Sequence, residues 1–221
     1  LANNGLGPDS LNPRFLDKTR PDYINEMYIP MGLTAENVAE QFDISRERMD
    51  EFALLSQTRT TEAQKNGFFE REITPVTLPN GNVMEADECP RPGTTLEGLA
   101  ALQPSFKPDG KVTAGNACPL NDGAAAVLVM SEDKAKALGI KPLARIVASA
   151  ISGLAPEIMG VGPIEAVAKV LKQANMTIKD IDVVELNEAF ASQVLASLRQ
   201  LGVRDDAEHV NPNGGGIALG H

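Results

Sequence analysis

The chain has 221 residues, of which 43% are hydrophobic and 23% are charged, as is typical of a globular protein with a sizeable core. It carries 30 acidic and 20 basic residues, a formal charge of −10. This balance argues against a nucleic acid partner, because phosphate backbones bind basic faces. No apolar run approaches the roughly 18 residues of a membrane span, so we expect no membrane partner. Cys89 and Cys118 form no CxxC pair, and we expect reduced thiols and no metal site.

The first half of the chain predicts two helices followed by an irregular region. Residues 1–30 are rich in Pro, Asn and Asp and predict a loop. Two helical patterns follow, over 34–42 and 45–67, each opened by a hydroxyl residue that suits an N-cap. Residues 68–116 contain short extended pieces broken by Pro and Gly, which indicates an irregular insertion carried on a scaffold.

The second half alternates predicted strands and helices. Residues 123–130 form a continuous apolar run, which predicts a strand that is covered on both faces. The later predicted elements are a helix over 131–138 that is capped by Ser131, a strand over 144–150, a helix over 165–174, a strand over 181–186, a helix over 187–201 and a strand over 209–210. This alternation predicts a layered α/β domain.

One candidate site lies where the strand over 181–186 ends. The next residues, 187–191, read NEAFA, and ligand sites in open α/β sheets form at the carboxyl ends of strands. Asn187 is therefore a candidate ligand-facing side chain. It is equally suited to be a helix N-cap, with Glu188 favoured by the helix dipole, and both interpretations stay open at this point.

A second candidate site is the segment 211–221, NPNGGGIALGH, which joins glycines to a histidine. Glycine allows the backbone to approach a ligand closely, and histidine is the side chain best suited to act as a base near neutral pH. A dinucleotide loop is an alternative, although its spacing would require glycine at Leu219. Because the chain begins on Leu1 and ends on His221, we expect it to be an internal piece of a longer polypeptide.

Five ordered blocks together resemble the thiolase family. They are 30–39 (PMGLTAENVA), 113–117 with 121–126 (TAGNA and NDGAAA), 159–163 (MGVGP), 187–191 (NEAFA) and 211–221 (NPNGGGIALGH). The resemblance covers essentially the whole chain but only the middle and later part of a thiolase. It implies an α/β protein with the thiolase-like layered α/β/α/β/α fold, truncated at both ends and carrying a large loop-domain insertion.

The resemblance also implies a division of the chain. Residues 1–116 would form most of the loop domain, which covers coenzyme A (CoA) and contributes to oligomer contacts in the family. Residues 117–158 would end the N-terminal thiolase half, and residues 159–221 would begin an incomplete C-terminal half.

Thiolases cleave or form a carbon–carbon bond in 3-ketoacyl-CoA, using a cysteine nucleophile and oxyanion sites. The resemblance implies that His221 activates the nucleophile and helps to hold one oxyanion hole, while Asn187 positions a water in that hole. CoA would be a co-substrate, with no permanently bound cofactor. Neither Cys89 nor Cys118 lies in the context of a family catalytic cysteine, so we predict that this chain alone does not turn over.

The CoA contacts of the family map onto seven residues. Arg91 matches an arginine that lies against the adenine, and Ala114 lies on the pantetheine path. Cys118 stands where the family often has a serine that hydrogen-bonds the pantetheine, and a thiol is a weaker donor. Four larger side chains match residues of the acyl or pantetheine pocket, although core packing would also explain them: Met31, Phe106, Met159 and Phe190.

Residues 30–32 resemble the degradative thiolases, since the biosynthetic acetoacetyl-CoA thiolases often carry a histidine at the position of Pro30. The implied reaction is thiolytic cleavage of 3-ketoacyl-CoA to acyl-CoA and acetyl-CoA, as in fatty acid β-oxidation, or the reverse condensation, in a homodimer or homotetramer. The rivals are a biosynthetic acetyl-CoA acetyltransferase, a non-catalytic acyl-CoA- or lipid-binding protein and, more distantly, a nucleotide-dependent dehydrogenase. We expect a cytoplasmic location if the source is bacterial, with a mitochondrial or peroxisomal one left open.

Overall fold

The computed structural model describes residues 11–221, and its regular elements are mostly helical. The helices are α1 (Met31–Gln41), α2 (Arg46–Lys65), α3 (Leu96–Ala100), α4 (Glu132–Ala137), α5 (Gly162–Ala174), α6 (Ala191–Gln200) and α7 (Gly216–Leu219). Strands β1 (Val76–Thr77) and β2 (Val83–Met84) form an antiparallel pair in which Val76 lies opposite Met84. None of the helices within the described residues is both long and apolar enough to cross a membrane.

The hydrophobic core lies between α1, α2 and α6. Val38 of α1, Met49 of α2 and Leu195 of α6 are all completely buried within it. Every residue of α6 from Ala191 to Leu198 is buried, because α1 and α2 both pack against this helix. The small side chains of α6 allow this close approach, and their burial on several faces makes α6 the central element of the fold.

Helix α2 begins where its sequence predicts, but α1 does not. The Ser45 hydroxyl caps α2 by accepting the N–H of Arg48 at 3.3 Å. Helix α1 begins three residues before the predicted start, with Pro30 as its N-cap residue. Thr34 is therefore not the cap, and its hydroxyl donates to the Met31 carbonyl at 2.6 Å.

The irregular region over 68–116 is anchored on α2. The Arg46 guanidinium donates to the carbonyls of Leu99 at 2.7 Å and Leu102 at 3.0 Å, and pairs with Asp50 at 2.8 Å. The Leu99 carbonyl also accepts the N–H of Leu102 at 3.1 Å, and the guanidinium adds a charged donor at the C-terminal end of α3, where a cation is favourable. One side chain of α2 thereby fixes the end of α3.

Two of the predicted strands, over 123–130 and 144–150, do not form. Both segments lack strand pairing and are largely exposed, with Val127 at 88% and Ile146 at 74% exposure. A strand is stable only when a neighbour satisfies its N–H and C=O groups, and no segment within residues 11–221 pairs with either one as a strand. The prediction of a ladder at these positions is therefore wrong for this chain.

The strands predicted over 181–186 and 209–210 meet at a single parallel bridge. Val184 donates its N–H to the His209 carbonyl at 2.9 Å and accepts the N–H of Asn211 at 2.8 Å. Of the later helices, α4 is capped by Ser131 as predicted, and α5 begins three residues before its predicted start. The bridge at Val184 brings the two candidate segments, 187–191 and 211–221, to the same place.

Candidate active site

Asn187 does not begin a helix. The N-cap of α6 is Phe190, in an extended conformation with φ −146° and ψ 141°. The preceding residues pair instead with the segment around Ala117: Cys118 donates its N–H to the Ala189 carbonyl at 3.0 Å, and Ala191 donates to Asn116 at 2.9 Å. The N-cap interpretation of Asn187 is therefore wrong, as is the prediction that a helix starts at this residue.

The Asn187 amide lies at the start of α7. Its Oδ1 is 3.2 Å from the place where a Cβ on Gly216 would stand. The residue is exposed, and its side chain makes no hydrogen bond with any of residues 11–221. An amide with a free donor and a free acceptor can bind a water or an oxyanion.

The glycine segment turns sharply before α7 and presses against α2. Gly214 has φ +83°, and a side chain there would collide with Thr60 of α2. Asn211, with φ +42°, holds both backbone groups of Leu186 through its amide, each at 2.8 Å. These contacts fix the loop against both α2 and the end of the 181–186 segment.

His221 follows α7 and is exposed. Helix α7 has four residues, a rise of about 6 Å at the usual 1.5 Å per residue. The helix begins at Gly216, beside the Asn187 amide, and Gly220 with φ +85° precedes His221. The two predicted catalytic residues are therefore brought to the two ends of one helical turn.

A cleft of about 480 Å³ lies beside α7. Its walls include Ile217 of α7 and two of the predicted CoA contacts, Arg91 and Ala114. Gln57 of α2 holds the Arg91 backbone by accepting its N–H at 2.8 Å, and the exposed Arg91 guanidinium makes no hydrogen bond with any of residues 11–221. Cys89 also lines the cleft, and this contact was not anticipated from the sequence.

The other five predicted CoA contacts do not line this cleft. The Phe106 and Phe190 rings pack edge to face with centroids 6.2 Å apart, against the core. Met31 and Met159 are 43% and 48% exposed, which core packing does not explain. Cys118 is half-buried next to the cleft residue Pro119, and burial raises the pKa of its thiol. The roles of these five residues in binding CoA stay predictions.

The sequence did not single out Glu188 beyond its fit to a helix dipole, yet Glu188 is the most enclosed ionisable group near the site. It is 1% exposed and accepts hydrogen bonds from Ser56, Asn211 and Ile217. Burial raises the pKa of Glu188 above its usual range, an effect that these bonds and the charge of Arg59 only partly offset. The only feature of the sequence that could have pointed to Glu188 is its position directly after Asn187.

Comparison with known proteins assigns the chain to a family. Residues 13–133 match the family described as "Thiolase, N-terminal domain", and residues 140–221 match "Thiolase, C-terminal domain". The chain belongs to the thiolase family, and the resemblance found in its five sequence blocks is confirmed.

Named relatives are similar over most of the chain. A β-ketoadipyl-CoA thiolase of Acinetobacter baylyi is 55% identical over 195 residues, covering 86% of this chain and 49% of the relative. A probable acetyl-CoA acyltransferase of Staphylococcus epidermidis is 49% identical over 220 residues, covering 98% of this chain and 55% of the relative. The chain thus spans about half the length of the curated relatives it matches.

Solved structures confirm the thiolase-like layered α/β fold. Human mitochondrial 3-ketoacyl-CoA thiolase aligns with a TM-score of 0.83 and 50% identity, covering 87% of this chain and 48% of that one. Bacillus anthracis acetyl-CoA acetyltransferase aligns with a TM-score of 0.85 and 46% identity, covering 90% and 50%. The division into a loop domain and two thiolase halves at residues 116 and 158 is tested by none of these matches.

Proposed function

We propose that this chain is part of a thiolase that cleaves 3-ketoacyl-CoA, with CoA as co-substrate, into acyl-CoA and acetyl-CoA. The observation that carries the proposal is the position of Asn187 and His221 at the two ends of α7, beside the cleft that Arg91 and Ala114 line. The degradative rather than the biosynthetic direction is supported by the Pro-Met-Gly sequence at 30–32.

In the proposed reaction, the His221 imidazole accepts the proton of a cysteine thiol that lies outside this chain. The thiolate attacks the keto carbon, and the bond between the α and β carbons breaks. The bonding electrons move onto the thioester oxygen to form the enolate of acetyl-CoA, which is then protonated. The thiolate of a second CoA attacks the acyl-enzyme, which releases acyl-CoA and regenerates the cysteine.

Asn187 contributes at the point where negative charge develops on oxygen. Its amide N–H groups donate to none of residues 11–221 and can hold a water or the oxyanion itself, and donors placed where negative charge develops stabilise a transition state more than a ground state. In the cleft beside α7, the planar guanidinium of Arg91 suits stacking against the adenine of CoA.

The assembly and the location are part of the same proposal. We propose a homodimer or homotetramer, supported by a similar peroxisomal thiolase of Saccharomyces cerevisiae that is described as dimeric and aligns with a TM-score of 0.84 and 46% identity. We propose a cytoplasmic location if the source is bacterial, with a mitochondrial or peroxisomal location as the alternative. The similar proteins of Acinetobacter baylyi and Staphylococcus epidermidis come from bacteria.

A biosynthetic acetyl-CoA acetyltransferase is the second candidate. The alignment with the Bacillus anthracis acetyltransferase favours it, as does a 51% identical acetyl-CoA acetyltransferase of Allochromatium vinosum. A non-catalytic acyl-CoA-binding protein is less well supported, because binding alone does not require Asn187 and His221 to stand at one helical turn.

The test is an assay of the full-length protein that carries this chain. Acetoacetyl-CoA, a longer straight-chain 3-ketoacyl-CoA and 3-oxoadipyl-CoA are each incubated with CoA, and acetyl-CoA formation is measured. We expect cleavage of all three with a higher kcat/KM for the longer substrates. A strong preference for acetoacetyl-CoA would favour the biosynthetic candidate, and binding without turnover would favour the non-catalytic one.

A further inference from the structure

Glu188 joins three segments of the chain through one buried side chain. Its Oε2 accepts the Ser56 hydroxyl of α2 at 2.6 Å and the Ile217 N–H of α7 at 3.1 Å. Its Oε1 accepts the Asn211 amide at 2.8 Å. The carboxylate therefore connects α2, the segment that contains Asn187 and the glycine loop that leads into α7.

These contacts lie between the two candidate catalytic residues. Asn187 precedes Glu188 directly, and α7, which Glu188 holds through Ile217, leads to His221. The loop also passes directly over the carboxylate, since a Cβ on Gly215 would lie 2.5 Å from the Glu188 carboxyl carbon. Glycine at this position allows the contact, and the position of α7 follows from it.

We propose that Glu188 is a positioning residue that fixes α7, and with it His221, relative to Asn187. The inference rests on the proposed thiolase function. Glu188 acts through its neighbours, because it is enclosed beneath the glycine loop. Its three hydrogen bonds set the distance between the exposed side chains of Asn187 and His221, which share one oxyanion site.

A glutamine at this position could not reproduce the three bonds. All three partners donate: the Ser56 hydroxyl, the Asn211 amide and the Ile217 backbone N–H. If the glutamine NH₂ replaced Oε1 it would face the Asn211 amide, which cannot turn without losing both bonds to Leu186. If it replaced Oε2 it would face the Ile217 N–H, so one donor loses its acceptor in either orientation.

The effect of Glu188 on folding stability differs from that of a stabilising contact. Because burial raises the folded-state pKa of Glu188, its contribution to stability is present at low pH and is lost as the pH rises through that value. The ionised carboxylate thus opposes folding at neutral pH. Arg59 of α2 attracts it, and Glu185, whose own pKa is raised by partial burial and by the charges of Glu188 and Glu72, repels it.

The test compares Glu188→Gln with Glu185→Gln in the full-length protein. Glu185 is an exposed carboxylate of the same segment, and its side chain makes no hydrogen bond within residues 11–221. For Glu188→Gln we expect kcat to fall about 10²-fold, as for a small displacement of catalytic groups, with KM and Tm nearly unchanged. The Glu185→Gln variant should keep wild-type kcat. A wild-type kcat in Glu188→Gln, or a kcat loss that merely follows a loss of folded protein, would overturn the proposal.

Hydrogen exchange separates a failure of this proposal from a failure of the proposed function. In Glu188→Gln we expect faster amide exchange confined to residues 211–221, while α6 keeps its protection. If the wild-type protein shows no thiolysis, the proposed function fails, and faster exchange in this segment still supports anchoring by Glu188. Unchanged exchange at Ile217 would overturn it.

Discussion

At the scale of single residues, the site depends on glycines, which have no side chain, as much as on the residues that carry functional side chains. Gly214 adopts φ +83° and lies against Thr60 of α2, so the loop can approach the helix only without a Cβ. The run of glycines made close approach predictable from the sequence. The residue that the loop approaches was not predictable, because Thr60 and Gly214 are distant in the chain and meet only in the folded protein.

Substituting Gly214 by alanine should be more destabilising than its backbone conformation alone requires. Gly81 has a similar φ of +86° but open space around its Cα, so Gly81→Ala measures the backbone cost alone, about 1 kcal/mol. Gly214→Ala adds the collision with Thr60, and we expect a total loss of about 3 kcal/mol. Equal losses of unfolding free energy in urea titrations of the two variants would show that the contact with α2 is loose.

At the scale of elements, the sequence predicted the start of a helix correctly where a hydroxyl residue next to the helix caps it. The hydroxyls of Ser45 and Ser131 cap α2 and α4 as the sequence indicated. The start of α6 was missed because residues 189–191 pair with 116–118, a contact between distant segments that no local pattern records. That pairing keeps Asn187 out of the helix and available at the site.

An ion-pair cluster also joins α2 to α6. Asp205 accepts hydrogen bonds from Arg48 of α2 and Arg199 of α6, each at 2.9 Å. Burial raises the pKa of Asp205, but the bonds from Arg199 and Arg48 outweigh it, so the pKa lies below the usual value. A depressed pKa means that this stabilisation is present above the unfolded-state pKa, about 4, and is lost as the pH falls through the folded-state value.

Asp205→Asn should therefore lower Tm in a pH-dependent manner. At neutral pH we expect a loss of roughly 1 kcal/mol, the range of partly exposed ion pairs, and the difference from wild type should vanish as the pH falls through the folded-state pKa of Asp205. Asp206→Asn is the matched control, because Asp206 is the neighbouring carboxylate and its ion pair with Arg204 lies exposed at the surface. A Tm difference for Asp205→Asn that persists at low pH would contradict this role.

At the scale of the whole molecule, sequence patterns predicted the fold class but not the sheet. The apolar run at 123–130 is what a strand buried on both faces requires, and the thiolase structures confirm the layered fold. Within the part of the chain that the structure describes, however, neither that run nor residues 144–150 pair with a strand. Strand pairing depends on residues far away in sequence, so it could not be inferred from either segment alone.

These exposed apolar segments should make the chain on its own prone to aggregate. We expect size-exclusion chromatography and light scattering to detect soluble aggregates, and expect Val127→Lys with Ile146→Lys to reduce them. Val83→Lys is the control, since it adds a charge at an exposed valine of β2 outside both segments. A sharp, reversible melt of a monomeric wild-type chain would contradict this expectation.

The proposed thiolase function depends on Asn187 and His221 acting together at the ends of α7. The most direct measurement is kcat for thiolysis by the full-length protein with Asn187→Ala, compared with Asn80→Ala in the exposed turn after β1. We expect Asn187→Ala to lower kcat roughly 10²–10³-fold, as for the loss of one oxyanion donor, and Asn80→Ala to leave it unchanged. A near-normal kcat for Asn187→Ala would remove Asn187 from the site and contradict the account.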